Sequence, residues 1–204
     1  AMRGQVAPRP IGILLGLTTT RSPCTTRPSF SEVAKLPLAE RVAARADPAR
    51  KARSLDEPAG HGFTRLFRLM DEGRKIWLMT DPPNYEPDPK DSLHAQATDR
   101  GIDPWSYVYD MLLQHQGNAL LYTPFANYAE NNLDCCRDMI LHKDTVMGLG
   151  DGGAHVGTIC DASFITSLLT QRGRERTRCQ GSEVRTGTQG RYSDNRRPAD
   201  VEGR

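Results

Sequence analysis

The run Thr145-Val146-Met147-Gly148-Leu149-Gly150-Asp151-Gly152-Gly153-Ala154-His155 constrains this chain more than any other segment. A short apolar stretch ends in Gly-Asp-Gly-Gly, and a histidine follows the aspartate by four residues. The apolar stretch suits a buried strand. The glycines let the backbone turn sharply and let a ligand come close to it. In parallel α/β barrels, a polar residue at the C-terminal end of a strand reads as catalytic. The same letters also describe a glycine-rich turn with a solvated aspartate, and spacing alone leaves both readings open.

The rest of the chain carries a coarse α/β pattern. Residues 4–17 read as a strand and then a loop, with Pro8 and Pro10 holding extended backbone. Residues 31–55 are basic and helical: Ser31 can cap, Pro37 restarts the helix, Asp47-Pro48 opens another, and Leu38 and Val42 form a narrow apolar stripe. Phe63, Leu66, Phe67 and Met70 share one face of a helix over 63–72, stopped by Gly73. A short strand over 75–80 precedes a loop over 81–91 that contains Pro82, Pro83, Pro87 and Pro89. Asp103 caps a helix that Pro104 opens and Gly117 ends, with Trp105, Val108, Tyr109 and Leu112 on one face. A strand over 119–123, a helix over 132–142, a strand over 145–149 and a short helix over 161–169 follow. This alternation predicts an α/β fold with parallel strands.

Composition bounds the function classes. The 204 residues suffice for one sizeable domain with a real core. The net charge of +2 is unevenly spread: residues 171–204 hold nine Arg against five acidic residues, +4, which leaves 2 − 4 = −2 for residues 1–170. The basic balance is therefore a property of the tail and gives the body no case for nucleic-acid binding. That tail has no Leu, Ile, Phe, Met or Trp and cannot bury enough surface to order itself, so it reads as disordered or aberrant. No apolar stretch approaches the 18 or so residues of a membrane helix, and Pro8, Arg9 and Pro10 interrupt the start in a way that argues against a signal peptide. The five cysteines are odd in number, two are adjacent, and no C-x-x-C occurs. Reduced thiols in a cytoplasmic protein are the simplest reading, with Cys135 and Cys136 as small packing residues on a helix.

Four strings occur in order that together resemble one family: QVAPRPIGILLGL at 5–17, KIWLMTDPPNYEPDPKDSL at 75–93, ALLYTPFANYAENNLD at 119–134 and MGLGDGGAHVGTICDASF at 147–164. They resemble N-acyl-D-amino-acid deacylases, zinc-dependent hydrolases of the amidohydrolase superfamily, over roughly residues 4–170. The resemblance implies a partial TIM-like (β/α) barrel, residues 1–170, made of the C-terminal strands with a helical insertion, followed by the tail at 171–204. A complete barrel of this kind usually needs about 250 residues. The family's H-x-H pair is absent, and His61, His94, His115, His142 and His155 are scattered. The chain is therefore expected to be a C-terminal portion of a larger enzyme, inactive alone, with most zinc ligands missing.

Amide hydrolysis needs an activated water, a base for its proton and an acid for the leaving nitrogen. The resemblance puts Asp151 at the final-strand aspartate that takes and delivers that proton beside the metal. It is the expected catalytic residue and the one expected metal contact. His155 is expected to bind substrate or orient Asp151, the alternative being a loop histidine bonded to backbone. Arg9 can pair with a substrate carboxylate, the alternative being a structural salt bridge. Tyr122, Asn127 and Tyr128 flank a strand end, where packing of the tyrosines competes with pocket lining. Asp81 follows a strand but reads as a turn starter. The expected partner is a small N-acyl amino acid or related amide, without nucleic acid or membrane. The competing function is a non-catalytic α/β remnant or interaction module. A phosphate loop at Gly150–Gly153 is weaker, since G-x-x-x-x-G-K-[ST] is missing and an aspartate repels phosphate.

Overall fold

The computed structural model describes residues 2–58, 70, 74–148 and 163–164. The expected helix over 63–72, apart from Met70, most of the final helix, and the 171–204 tail lie outside them. The described residues fall into two compact units. One runs from Gly12 to Phe125. The other takes the residues up to Ile11 and those described from Ala126 onward.

In the first unit, strand β2 (Ile11–Gly16) follows the short strand β1 (Gly4–Val6), which belongs to the second unit. Sequence reasoning placed a loop where β2 stands. The prolines that break the chain are confined to positions 8 and 10, and beyond them the run IGILLG buries Ile13 and Leu15. Helix α1 (Pro28–Ser31) opens on Pro28, so Ser31 closes a helical turn rather than capping the next helix. Helix α2 (Leu38–Ala46) starts after Pro37, and α3 (Pro48–Asp56) is capped by Asp47, whose carboxylate accepts the Arg50 N–H at 3.0 Å. Leu38 and Val42 pack on the core as their spacing predicts.

Strand β3 (Trp77–Leu78) leads into the proline-rich loop, where Pro89–Asp91 forms one 3₁₀ turn. Helix α4 (Leu93–Asp99), which the sequence reading did not foresee, is capped by Ser92 through the Ala95 N–H at 3.2 Å. Helix α5 (Pro104–Leu112) is capped by Asp103, which accepts the Ser106 N–H at 2.8 Å. Its expected face is correct: Val108, Tyr109 and Leu112 are buried and Trp105 is half-buried. The chain then leaves the helix by left-handed backbone at His115, Gln116 and Gly117, with Gly117 at φ 83°.

Strand β4 (Leu120–Ala126) lies between β2 and β3. Its pairing with β3 is antiparallel, Trp77 opposite Tyr122 and Leu78 opposite Leu121. This corrects the expectation of uniformly parallel strands. A single crossover helix returns the chain to the start of a parallel neighbour. Here two mutually packed helices, α4 and α5, separate β3 from β4. A helix pair brings the chain back to the end it left, and the next strand then runs the opposite way.

The core of this unit gathers Leu15, Phe30, Ile76, Leu93, Leu112 and Leu121. Phe30 meets Tyr109 edge-on, centroids 5.9 Å apart. Each such side chain taken fully out of water contributes about 1.5–3 kcal/mol. Gly12 is required by close approach: a Cβ there would sit 2.1 Å from the Tyr122 ring.

The second unit holds β1, helix α6 (Asp134–Leu141) and strand β5 (Thr145–Met147). β1 and β5 are parallel, with Gly4 opposite Thr145, Gln5 opposite Val146 and Val6 opposite Met147. The architecture is thus mixed α/β, with one two-stranded parallel sheet and one three-stranded sheet containing an antiparallel pair. Among the described residues these sheets do not close into a barrel.

Candidate active site

The candidate site begins where β1 and β5 end. Helix α6 feeds β5 through a short turn. Thr145 fixes it by donating its hydroxyl to the His142 carbonyl at 2.8 Å, and the Thr145 N–H reaches the same carbonyl at 3.2 Å. The Gly4 N–H donates to the Asp144 carbonyl at 2.9 Å, which locks the strand register at its start. Parallel pairing carries the C-terminal ends of both strands to one edge. The Gly148 N–H still reaches the Val6 carbonyl there, at a long 3.4 Å.

Arg9 leaves that edge after β1. It is 1% exposed. Nη2 donates to Ser163 Oγ at 2.8 Å, Nη1 donates to the Pro10 carbonyl at 3.3 Å, and the guanidinium lies 4.3 Å from the centre of the Phe164 ring. Ser163 and Phe164 lie in the region that follows Asp151 in sequence. Arg9 therefore ties the chain after β1 to the chain downstream of the candidate aspartate, and it holds a fixed positive charge in the interior of this unit. Asp151 and His155 themselves lie outside the described residues.

Of the other candidates, Tyr128 is buried in this unit and Asn127 adopts φ 62°, a left-handed conformation that asparagine accepts more readily than most residues. The Asn127 carbonyl accepts from both Cys135 Sγ at 3.4 Å and Cys136 Sγ at 3.7 Å. Cys136 is buried and Cys135 is exposed, so only one of the adjacent pair is a packing residue. Tyr122, in the other unit, is buried against Gly12 and meets Tyr85 edge-on at 5.9 Å. Its ring serves packing. Asp81 is exposed and starts a turn in which the Thr80 hydroxyl donates to the Pro82 carbonyl at 2.7 Å.

The described residues do not by themselves fit a zinc ion. None of their His, Cys, Asp and Glu side chains form a group of three or more that could hold a metal. His115 and His142 are exposed and His94 is half-buried.

Sequence reasoning missed a group of buried arginines in the first unit, Arg27 and Arg45 above all. The i, i+4 pair Arg41/Arg45 beside the Leu38/Val42 stripe is the one sequence signal for it, and it reads equally well as a solvated face. Compared with family models, curated proteins and solved structures, the chain matches none.

Proposed function

We propose that this chain is part of an amidohydrolase of the N-acyl-D-amino-acid deacylase type, and that Asp151 is its proton-transfer residue. The observation that supports this most is the parallel β1–β5 pair: α6 leads into β5, and β5 ends at Met147, four residues before Asp151 in sequence. Strand ends of parallel α/β folds are where such chemistry is placed. Arg9 emerges at the same edge and contributes a buried positive charge.

In this reading the Asp151 carboxylate takes a proton from the water that attacks the amide carbonyl. It then passes that proton to the departing nitrogen, so one group serves as base and acid in turn. The glycines on both sides of Asp151 leave the backbone open to substrate. His155 contacts the substrate or orients the carboxylate, and Arg9 holds the loop region in place or faces the substrate carboxylate.

The test uses the polypeptide obtained by extending the reading frame upstream of Ala1 through an H-x-H segment. It should release free D-amino acids from N-acyl-D-amino acids in preference to the L-forms. The 204-residue chain alone should keep no zinc after dialysis. An extended polypeptide that folds, carries zinc and hydrolyses no N-acyl amino acid would leave the non-catalytic α/β module as the reading. One tightly held zinc per chain in the 204-residue protein would overturn the view that its ligands lie elsewhere.

A further inference from the structure

The adjacent cysteines at the start of α6 form a pair that the chemistry proposed for Asp151 does not use. Cys135 and Cys136 are the second and third residues of that helix. Cys135 is exposed and Cys136 is buried. Both thiols nevertheless converge on one atom. Cys135 Sγ donates to the Asn127 carbonyl at 3.4 Å, and Cys136 Sγ donates to the same oxygen at 3.7 Å. The two sulfurs therefore flank a single oxygen, and one of them belongs to a residue that solvent reaches. An accessible thiol beside a second, resolving cysteine is the arrangement of a redox-sensing site. Cys24, buried and without a cysteine next to it in the chain, lacks both features.

A bond between these two sulfurs is incompatible with helical backbone. Neighbouring helical side chains point about 100° apart. Adjacent Cα atoms lie about 3.8 Å apart, inside the roughly 4.4–6.8 Å that a disulfide usually spans. Joining the sulfurs therefore unwinds the helix at that point and stores strain, and a strained, exposed disulfide is easily reduced again. The position makes the unwinding cheap. The first N–H groups of a helix have no partner within it, and in α6 the Asp134 N–H goes instead to Asn132 Oδ1 at 2.9 Å. The Arg137 N–H is held by the Leu133 carbonyl at 3.0 Å, so that bond spans the pair and is the one exposed to its loss. Oxidation also removes both S–H donors from the Asn127 carbonyl. Asn127 stands in left-handed backbone at φ 62°, so the start of α6 lets go of a residue whose conformation depends on its surroundings.

We propose that Cys135 and Cys136 form a reversible vicinal disulfide on oxidation by a hydroperoxide, and that this bond unwinds the first turn of α6. The Cys135 thiolate attacks one peroxide oxygen. An S–O bond forms, the O–O bond breaks, and the departing oxygen leaves as water or an alcohol with the thiol proton. Cys136 Sγ then attacks the Cys135 sulfur. The S–S bond forms, the S–O bond breaks, and the hydroxyl leaves as water with the Cys136 proton. The two thiols give up two electrons and the peroxide takes them. The device acts on α6 and stands whether or not Asp151 is catalytic.

The experiment treats the reduced full chain with hydrogen peroxide, then unfolds, alkylates and digests it with trypsin. The peptide from Gly101 to Arg137 holds both cysteines and no other. Before peroxide it should carry two alkyl groups. After peroxide it should carry none and weigh two hydrogens less than the dithiol, and dithiothreitol should restore both alkylations. Hydrogen exchange at the Arg137 amide should quicken on oxidation and slow again on reduction. In Cys136→Ser, with the resolving thiol gone, Cys135 should pass on to the sulfinic acid. In a folded Cys135→Ser, Cys136 should stay as unoxidised as Cys24. A Gly101–Arg137 peptide that keeps an alkylatable cysteine after peroxide, or a disulfide joining Cys135 to any cysteine but Cys136, would overturn the pairing. Unchanged Arg137 exchange in the oxidised protein would overturn the unwinding. Should Cys136→Ser not fold, Cys135→Ser decides, and ready oxidation of its Cys136 in the folded chain would reject the order of steps.

Discussion

Replacing Gly117 by alanine separates two costs that the backbone and the packing impose at one position. Gly117 has φ 83°, and a Cβ there would lie 2.5 Å from Val42 Cγ2, 3.1 Å from Leu38 Cδ1 and 3.3 Å from Leu17 Cδ1. Gly101 provides the control: its φ is 65°, yet a Cβ there meets nothing within 4 Å. An L-residue in the left-handed region costs about 1–2 kcal/mol. Alanine recovers about 0.4–1 kcal/mol of that by restricting the unfolded chain. Gly101→Ala should therefore lose only about 0.5–1 kcal/mol. Gly117→Ala adds overpacking against α2, typically about 1–3 kcal/mol, for a total of about 1.5–4 kcal/mol. Urea unfolding followed by circular dichroism gives both values, provided the m-values stay equal. In the Val42→Ala background the cost of Gly117→Ala should fall toward that of Gly101→Ala, because the closest obstructing atom is gone. Equal losses for Gly117→Ala and Gly101→Ala in the otherwise unaltered chain would refute the packing argument.

Two further outcomes follow from local chemistry. Asp103→Ala removes the carboxylate that accepts the Ser106 N–H and should cost about 0.5–2 kcal/mol in the same urea assay, with Asp103→Ser recovering most of it. Cys24 is buried, and that burial pushes its thiol up to about 12, outweighing the opposite pull of Arg27 and Arg45. Peptide mass mapping after alkylation at pH 8 should show Cys135 modified in the folded protein and Cys24 modified only after unfolding. The folded Cys24 thiol stays protonated above its ordinary value of 9.0, so its contribution to stability is whole below pH 9 and fades as pH rises toward 12. Cys24→Ala should flatten that alkaline loss relative to the unaltered chain.

The parts of this fold that a sequence reader can find are those governed by neighbours a few residues away. Pro37, Asp47-Pro48 and Asp103-Pro104 mark helix starts because caps and fixed φ act locally, and the Val108/Tyr109/Leu112 face follows from helical period. Strand β2 is hard to read because Pro8 and Pro10, which break a local pattern, stand directly before its apolar residues. Helix α4 escaped because Ser92 sits at the end of a proline-rich loop, although its capping role needs only the three residues that follow. The antiparallel β3–β4 pair depends on how α4 and α5 return the chain, which no short window contains. The same holds for the candidate site. The strand leading to Asp151 is legible as a short apolar run, and so is Arg9 as a polar residue past a strand. The Arg9 contacts with Ser163 and Phe164 join residues 154 and 155 positions apart and needed the structure. The Arg45 cluster was illegible for a like reason, since a charged helix face ordinarily points to water.

The most direct test of the central claim is steady-state kinetics of Asp151→Asn in the upstream-extended polypeptide, with N-acyl-D-amino acids as substrate. The two side chains have nearly the same volume, but an amide cannot take a proton from the attacking water. General acid–base assistance is worth about 10²–10⁴ in rate. The account predicts a fall of that size in kcat, with KM and thermal unfolding little changed and with His155→Ala costing less. Near-normal turnover by a correctly folded Asp151→Asn would contradict it and reduce the Gly-Asp-Gly-Gly segment to a turn.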